Sequence, residues 1–162
     1  MTFEDDLAAA WRSAPELSDS DLRARIDRIV SAPGVPSSIA AFERAGADDS
    51  TGRPDLAVSG YRRALELGLD DDRARQATIQ LASSLRNLGD PAGGLTLLGE
   101  LDAARGDGLD PAIAIFRALC LTDLDRSTDA VALLIDALAD SLSRYQRSSR
   151  GYAAELRSRA RH

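Results

Sequence analysis

Residues 83–98 read SSLRNLGDPAGGLTLL. Helix-favouring residues run up to Asn87, Leu88-Gly89-Asp90-Pro91 interrupts them, and apolar residues at helical spacing resume directly afterwards. Gly89 suits the position just past a helix C-terminus, where the backbone turns left-handed and only glycine does so without steric cost. Asp90 suits the N-cap of a following helix, and Pro91 its first turn, where the missing N–H would have had no partner. The stretch therefore predicts a helix, a tight turn and a second helix.

The same turn recurs at Thr51-Gly52-Arg53-Pro54 and at Leu124-Asp125-Arg126-Ser127. Gly52, Gly89 and Asp125 are spaced by 37 and 36 residues, and alignment on them brings side-chain size into register. Small residues precede the turn at Ala45, Ala82 and Ala118. Small residues follow it at Ala57, Gly94 and Ala130, then bulky Tyr61, Leu98 and Leu134, then Ala64, Leu101 and Ala137. Recurring small positions let paired helices approach, and the bulky position fills the gap beside them.

This pattern resembles the tetratricopeptide repeat (TPR), a unit of helix A, turn and helix B. The segments DSTG, YRRALELGL and SSLRNLG are similar to those of a bacterial stand-alone TPR subfamily. The resemblance spans about 37–140 and is strongest in the second half of each unit; Asp48, Leu85 and Leu121 stand where the family usually has Tyr. The expected fold is all-α: an α-solenoid of three TPR-like helical hairpins with N-terminal and C-terminal capping helices. The expected divisions are 1–36 for the N-terminal cap, 37–70, 71–109 and 110–140 for the repeats, and 141–162 for a basic C-terminal cap. Within the repeats the spacing predicts helices at about 38–50, 54–67, 72–88, 91–104, 111–123 and 127–140.

Both ends carry helix signals. Thr2 with Asp5, and Ser18 with Asp21, read as capping boxes for two short helices ending near Trp11 and Ser31, before the break at Pro33-Gly34-Val35-Pro36. At the other end Leu142, Tyr145, Ser149, Tyr152 and Leu156 alternate in steps of three and four, which predicts a helical stripe. Terminal repeats expose an apolar face, so capping is the simplest role for both ends.

Composition agrees. Apolar residues make up 44% of the 162-residue chain but aromatics only 4%, so the core must be built from Leu and Ala, a palette for close-packed helices. The acidic start, Met1 to Asp6, lacks the basic and apolar regions of a secretory leader, and no run is apolar for the ~20 residues that span a bilayer. A cytoplasmic protein is expected. Net charge is −6, divided into +5 on 141–162 and −11 on the remainder, so the body should repel nucleic acid. Every basic side chain is Arg, a pattern that coding bias explains because the arginines are scattered through all segments.

Catalytic chemistry is hard to assemble from these residues. The single histidine, His162, is terminal, which removes Ser-His-Asp and Cys-His catalysis and histidine metal sites. The lone Cys120 lies in an apolar run and reads as a core residue with an inert thiol. Gly89, Gly93 and Gly94 lack the lysine and preceding strand of a phosphate loop, and Asp70-Asp71-Asp72 lacks the ligand spacing of a calcium loop. No enzyme activity, cofactor or metal is expected.

The resemblance implies that the first helices of the repeats line a concave groove that receives a partner's peptide. The repeat spacing then sets Phe42, Ile79 and Ile115 in one column, Gly46, Ser83 and Leu119 in a second, Asp49, Arg86 and Thr122 in a third, and Ser50, Asn87 and Asp123 in a fourth; Gln76 completes the set. The expectation is a non-catalytic adaptor whose apolar strip takes side chains while Arg86 and Asn87 hold backbone or carboxylate groups. An ion pair between Asp49 and Arg86 is the preferred structural reading of those two residues. The alternative is self-assembly, with the basic tail of one chain docking on the acidic body of another through Tyr145, Tyr152 and Leu156. The expected partner is a protein or peptide, with no nucleic acid and no membrane, and with a homodimer as the alternative.

Overall fold

A computed structural model describes residues 2–101 and 105–160. Among these the chain is helical, with no strand: α1 Phe3–Arg12, a 3-10 turn Ala14–Glu16, α2 Asp19–Val30, α3 Ser37–Ser50, α4 Pro54–Glu66, α5 Asp71–Asn87, α6 Pro91–Gly99, α7 Asp110–Asp123, α8 Ser127–Ala139 and α9 Gln146–Arg159. The six expected repeat helices begin and end within one or two residues of α3 to α8, except that α6 stops at Gly99 and the rest of 91–104 falls partly outside the described residues. The chain divides into two compact units, residues 1–84 and 85–162.

The three aligned turns share one geometry. Gly52, Gly89 and Asp125 all have positive φ, 73°, 86° and 59°. Their amides bond back to Asp49, Arg86 and Thr122, and the amides of Arg53, Asp90 and Arg126 reach the carbonyls of Asp48, Leu85 and Leu121 at 2.9, 2.9 and 2.8 Å. This double closure satisfies carbonyls that a helix end otherwise leaves unbonded. Asp125 carries a Cβ into the left-handed region and a negative charge to the carbonyl end of α7, both unfavourable. Asp125→Gly is therefore expected to raise stability by up to about 1 kcal/mol, and Gly89→Ala to lower it by about 1 kcal/mol. Chemical denaturation of the two variants checks the opposite signs.

Starts are capped as the sequence suggests. Thr2 and Asp5 complete a capping box, Ser18 accepts from the Asp21 amide, Asp70 accepts from Arg73 at 2.9 Å, and Asp90 from Gly93 at 2.8 Å. The Asp90 cap also accounts for Gly93, where a Cβ would lie 2.2 Å from the capping carboxylate.

In the first unit, Leu7 and Ala10 of α1, Leu22, Ile26 and Val30 of α2, and Ile39, Ala40 and Ala47 of α3 form one buried cluster. Helix α4 packs closely on α3, and Ala45, Ala57, Tyr61 and Ala64 are buried. In the second unit, α6 packs on α7, α7 on α8 and α8 on α9. Ala118, Leu121 and Ala130 form the centre, joined by Leu95, Leu133 and Leu134, while Leu98 and Cys120 are fully buried. Burial pushes the Cys120 thiol up. The aligned columns loosen in the last hairpin: Ala137 is exposed and Ala132 and Ala139 are buried instead, because α8 must also pack against α9.

The C-terminal stripe differs from its expectation. Tyr145 has φ 69° and sits before the helix, which starts at Gln146, so Leu142 and Tyr145 are not on α9. The covered face of α9 runs through Ser149, Ala153 and Leu156, with Ala153 fully buried, and Tyr145 and Tyr152 stay 76% and 64% exposed. Small residues at the contact let α8 and α9 lie close, which a tyrosine face would prevent. Arg150 and Arg157 pair with Asp140 and Asp136, so part of the basic charge is already matched within the chain.

Candidate functional site

A cavity of about 400 Å³ opens in the first unit, lined by Trp11, Phe42, Glu43, Gly46, Asp49, Ser50, Tyr61, Gln76 and Gln80. Helix α3 supplies five of these along successive turns, α5 supplies Gln76 and Gln80 four residues apart, α4 supplies Tyr61 and α1 supplies Trp11. Gly46 makes room for the indole: a Cβ there would lie 3.3 Å from Trp11 Cζ2. Helix α1 is held in place from both sides. Trp11 Nε1 donates to Glu43 Oε2 at 2.6 Å on α3, and Arg73 on α5 reaches both carboxylate oxygens of Glu4 at 2.6 and 2.7 Å.

The lining carries two carboxylates and no basic residue. Glu43 is only 9% exposed, and burial raises its carboxyl above the usual range, with the Trp11 hydrogen bond and the charge of Arg73 opposing. Burial likewise raises Asp49, which accepts from Ser84 Oγ at 2.9 Å and, at 3.4 Å, from the Tyr61 hydroxyl. Desolvation first, then the neighbouring Asp49 carboxylate, pushes the Tyr61 phenol well above its ordinary value. Gln80 Oε1 is buried with no donor among the described residues. The cavity thus holds two carboxylates bonded to neutral donors and an amide oxygen with none, beside the tilted pair of Phe42 and Tyr61 rings, 6.1 Å apart.

Of the expected groove residues in this unit, Phe42, Gly46, Asp49, Ser50 and Gln76 line the cavity; Ile79 is buried and Ser83 half-buried outside the lining. Trp11, Glu43, Tyr61 and Gln80 were not anticipated there. Trp11 reads in sequence as the end of a cap helix, and nothing local announces that its ring reaches α3. In the second unit, Ile115 is 50% exposed, Leu119, Asn87 and Thr122 are exposed, and Thr122 bonds back to Ala118 O. The expected Asp49–Arg86 ion pair is replaced. Arg86 Nε lies 2.7 Å from Asp123 Oδ2 at the end of α7, whereas Asp49 turns inward to two hydroxyls.

The family model described as Tetratrico peptide repeat matches residues 38–156. The chain belongs to the tetratricopeptide repeat family. Repeats of this family generally mediate protein–protein interaction and are typically non-catalytic. No curated protein and no solved structure matches this TPR chain. No helix among its described residues is long and apolar enough to cross a membrane.

Proposed function

We propose that this TPR protein is a non-catalytic adaptor, and that the cavity of the first unit receives a basic side chain, best an arginine, from a partner polypeptide. The observation that carries this reading is the surplus of acceptors. Glu43 and Asp49 stand in a lining that has no basic residue, beside the unpartnered Gln80 Oε1, so an occupant that brings donors and positive charge complements it. A guanidinium brings five N–H groups in one plane and stacks on aromatic faces, and the half-buried Trp11 offers one. Gln76, one of the expected groove residues, is in the same lining.

The test uses a fluorescein-labelled peptide alternating Arg with Leu and its counterpart carrying citrulline, the neutral isostere. The Arg peptide should bind at least about ten-fold more tightly, about 1.4 kcal/mol. Glu43→Gln and Asp49→Asn should each lose about ten-fold, in keeping with a charge-assisted hydrogen bond. Stability should move the other way. A carboxyl whose folded pKa is raised contributes most while protonated, below its unfolded value near 4.5, and that contribution is lost as pH rises through the folded value. Above the folded value the ionised Glu43 therefore opposes folding, and Glu43→Gln, which can still accept from Trp11, should melt no lower than the parent there. Equal binding of the Arg and citrulline peptides would rule out a cation site.

A second reading, self-association through the C-terminal segment, draws on the exposure of Tyr145 and Tyr152. Sedimentation at low and high salt decides it: a monomer at both ends that reading.

A further inference from the structure

The second unit has a cavity of opposite character. About 530 Å³ in volume, it is lined by Leu95 of α6, Arg117 and Leu121 of α7, Arg126 and Asp129 at the start of α8, Leu133 of α8, and Arg157 and Ala160 at the end of α9. Three arginines and one carboxylate thus share the lining with three leucines. Two of the arginines are engaged: Arg126 pairs with Asp129 at 2.9 Å, and Arg157 with Asp136, which lies outside the lining. Arg117 differs, because its Nε is buried and has no hydrogen-bond partner among the described residues. A buried donor of a charged group left unsatisfied is costly, and a carboxylate is its natural complement. On α7, Arg117 stands two residues from both Ile115 and Leu119, rotated about 200° from Ile115, so this cavity is separate from the columns that the repeat spacing assigns to the partner groove.

We propose that this cavity is a second docking site, for an acidic segment of a partner polypeptide in which a Glu or Asp adjoins an apolar residue. The carboxylate meets Arg117, flanked by Arg126 and Arg157, and the apolar neighbour covers Leu95, Leu121 and Leu133. Guanidinium groups suit this role because their planar fork can take both carboxylate oxygens. The three leucines distinguish a peptide from a free anion, which gains nothing from apolar surface. The carbonyl end of α9 beside Ala160 opposes an anion, but that effect is weak at a partly exposed helix terminus.

The test is titration of the full chain with a labelled peptide alternating Glu with Leu, a Gln–Leu counterpart, and inorganic phosphate as competitor. The Glu–Leu peptide should bind at least ten-fold more tightly than the Gln–Leu peptide, and less tightly as salt rises. Arg117→Met keeps the aliphatic volume and should lose about ten-fold, whereas Arg147→Met removes the same charge from an exposed site on the same unit and should lose little. Should Arg117→Met melt lower than the parent, Arg126→Gln, at a more exposed position, replaces it with the same expected direction. Equal binding by Arg117→Met and Arg147→Met would overturn the site. Phosphate binding that depends on Arg117 without peptide binding would overturn the peptide reading in favour of a small anion. Low-salt self-association abolished by Arg117→Met would assign the site to a second copy of the chain and overturn it equally.

Discussion

Replacing Tyr61 by Ala should lower the stability of the first unit by about 3–5 kcal/mol, the range for truncating a fully buried large aromatic. Tyr61 has no exposed surface, its ring leans on Phe42, and its hydroxyl faces Asp49. Truncation would leave a void between α3 and α4, and the surrounding backbone cannot collapse to fill it, because Ala45, Ala57 and Ala64 already bring these helices close. For a chain of this size the melting temperature should fall by about 10 °C. Tyr61→Phe separates packing from polarity. The hydroxyl contact is long at 3.4 Å and Asp49 keeps Ser84, so Phe should lie within about 1 kcal/mol of the parent. A small loss in both variants, followed by thermal melting, would show that Tyr61 is not the plug between these helices.

Gly60→Ala is expected to lower stability by about 1–3 kcal/mol, although helix propensity alone favours Ala over Gly by up to about 1 kcal/mol. The reason is steric. A Cβ at Gly60 would lie 2.7 Å from the Cβ of Ala45 and 3.3 Å from its Cα, so α4 would have to move off α3. Relief is not available from a flexible side chain, since the obstructing atoms are a methyl and the backbone beneath it. Gly99→Ala provides the control, because a Cβ there meets nothing within 4 Å. Equilibrium denaturation that found both substitutions stabilising would place the closest α3–α4 approach elsewhere.

Gly60 also shows where sequence periodicity stops being informative. The aligned repeats mark Ala45 and Ala57 as small, and both are buried, yet a further approach too close for a Cβ falls at Gly60, whose counterparts Leu97 and Leu133 are large. A single close approach in one hairpin has no periodic signature. The turns are the opposite case. Gly52, Gly89 and Asp125 need only their neighbours to define a left-handed helix stop, and all three adopt it with matching hydrogen bonds. Helix caps at Thr2, Ser18, Asp70 and Asp90 belong to the same local class, because donor and acceptor lie within three residues.

The order of helices, their turns and the all-α repeat class were written in the sequence, because capping, left-handed turns and spacing of small residues act within a few residues of chain. Which side chains share a cavity was decided only by tertiary packing. Trp11 reaches Glu43 across 32 residues, Asp49 reaches Ser84 across 35, and Arg86 takes Asp123 rather than Asp49. Such partnerships depend on the rotation of each helix about its own axis. That rotation is set by side chains on neighbouring helices that no short stretch of sequence contains.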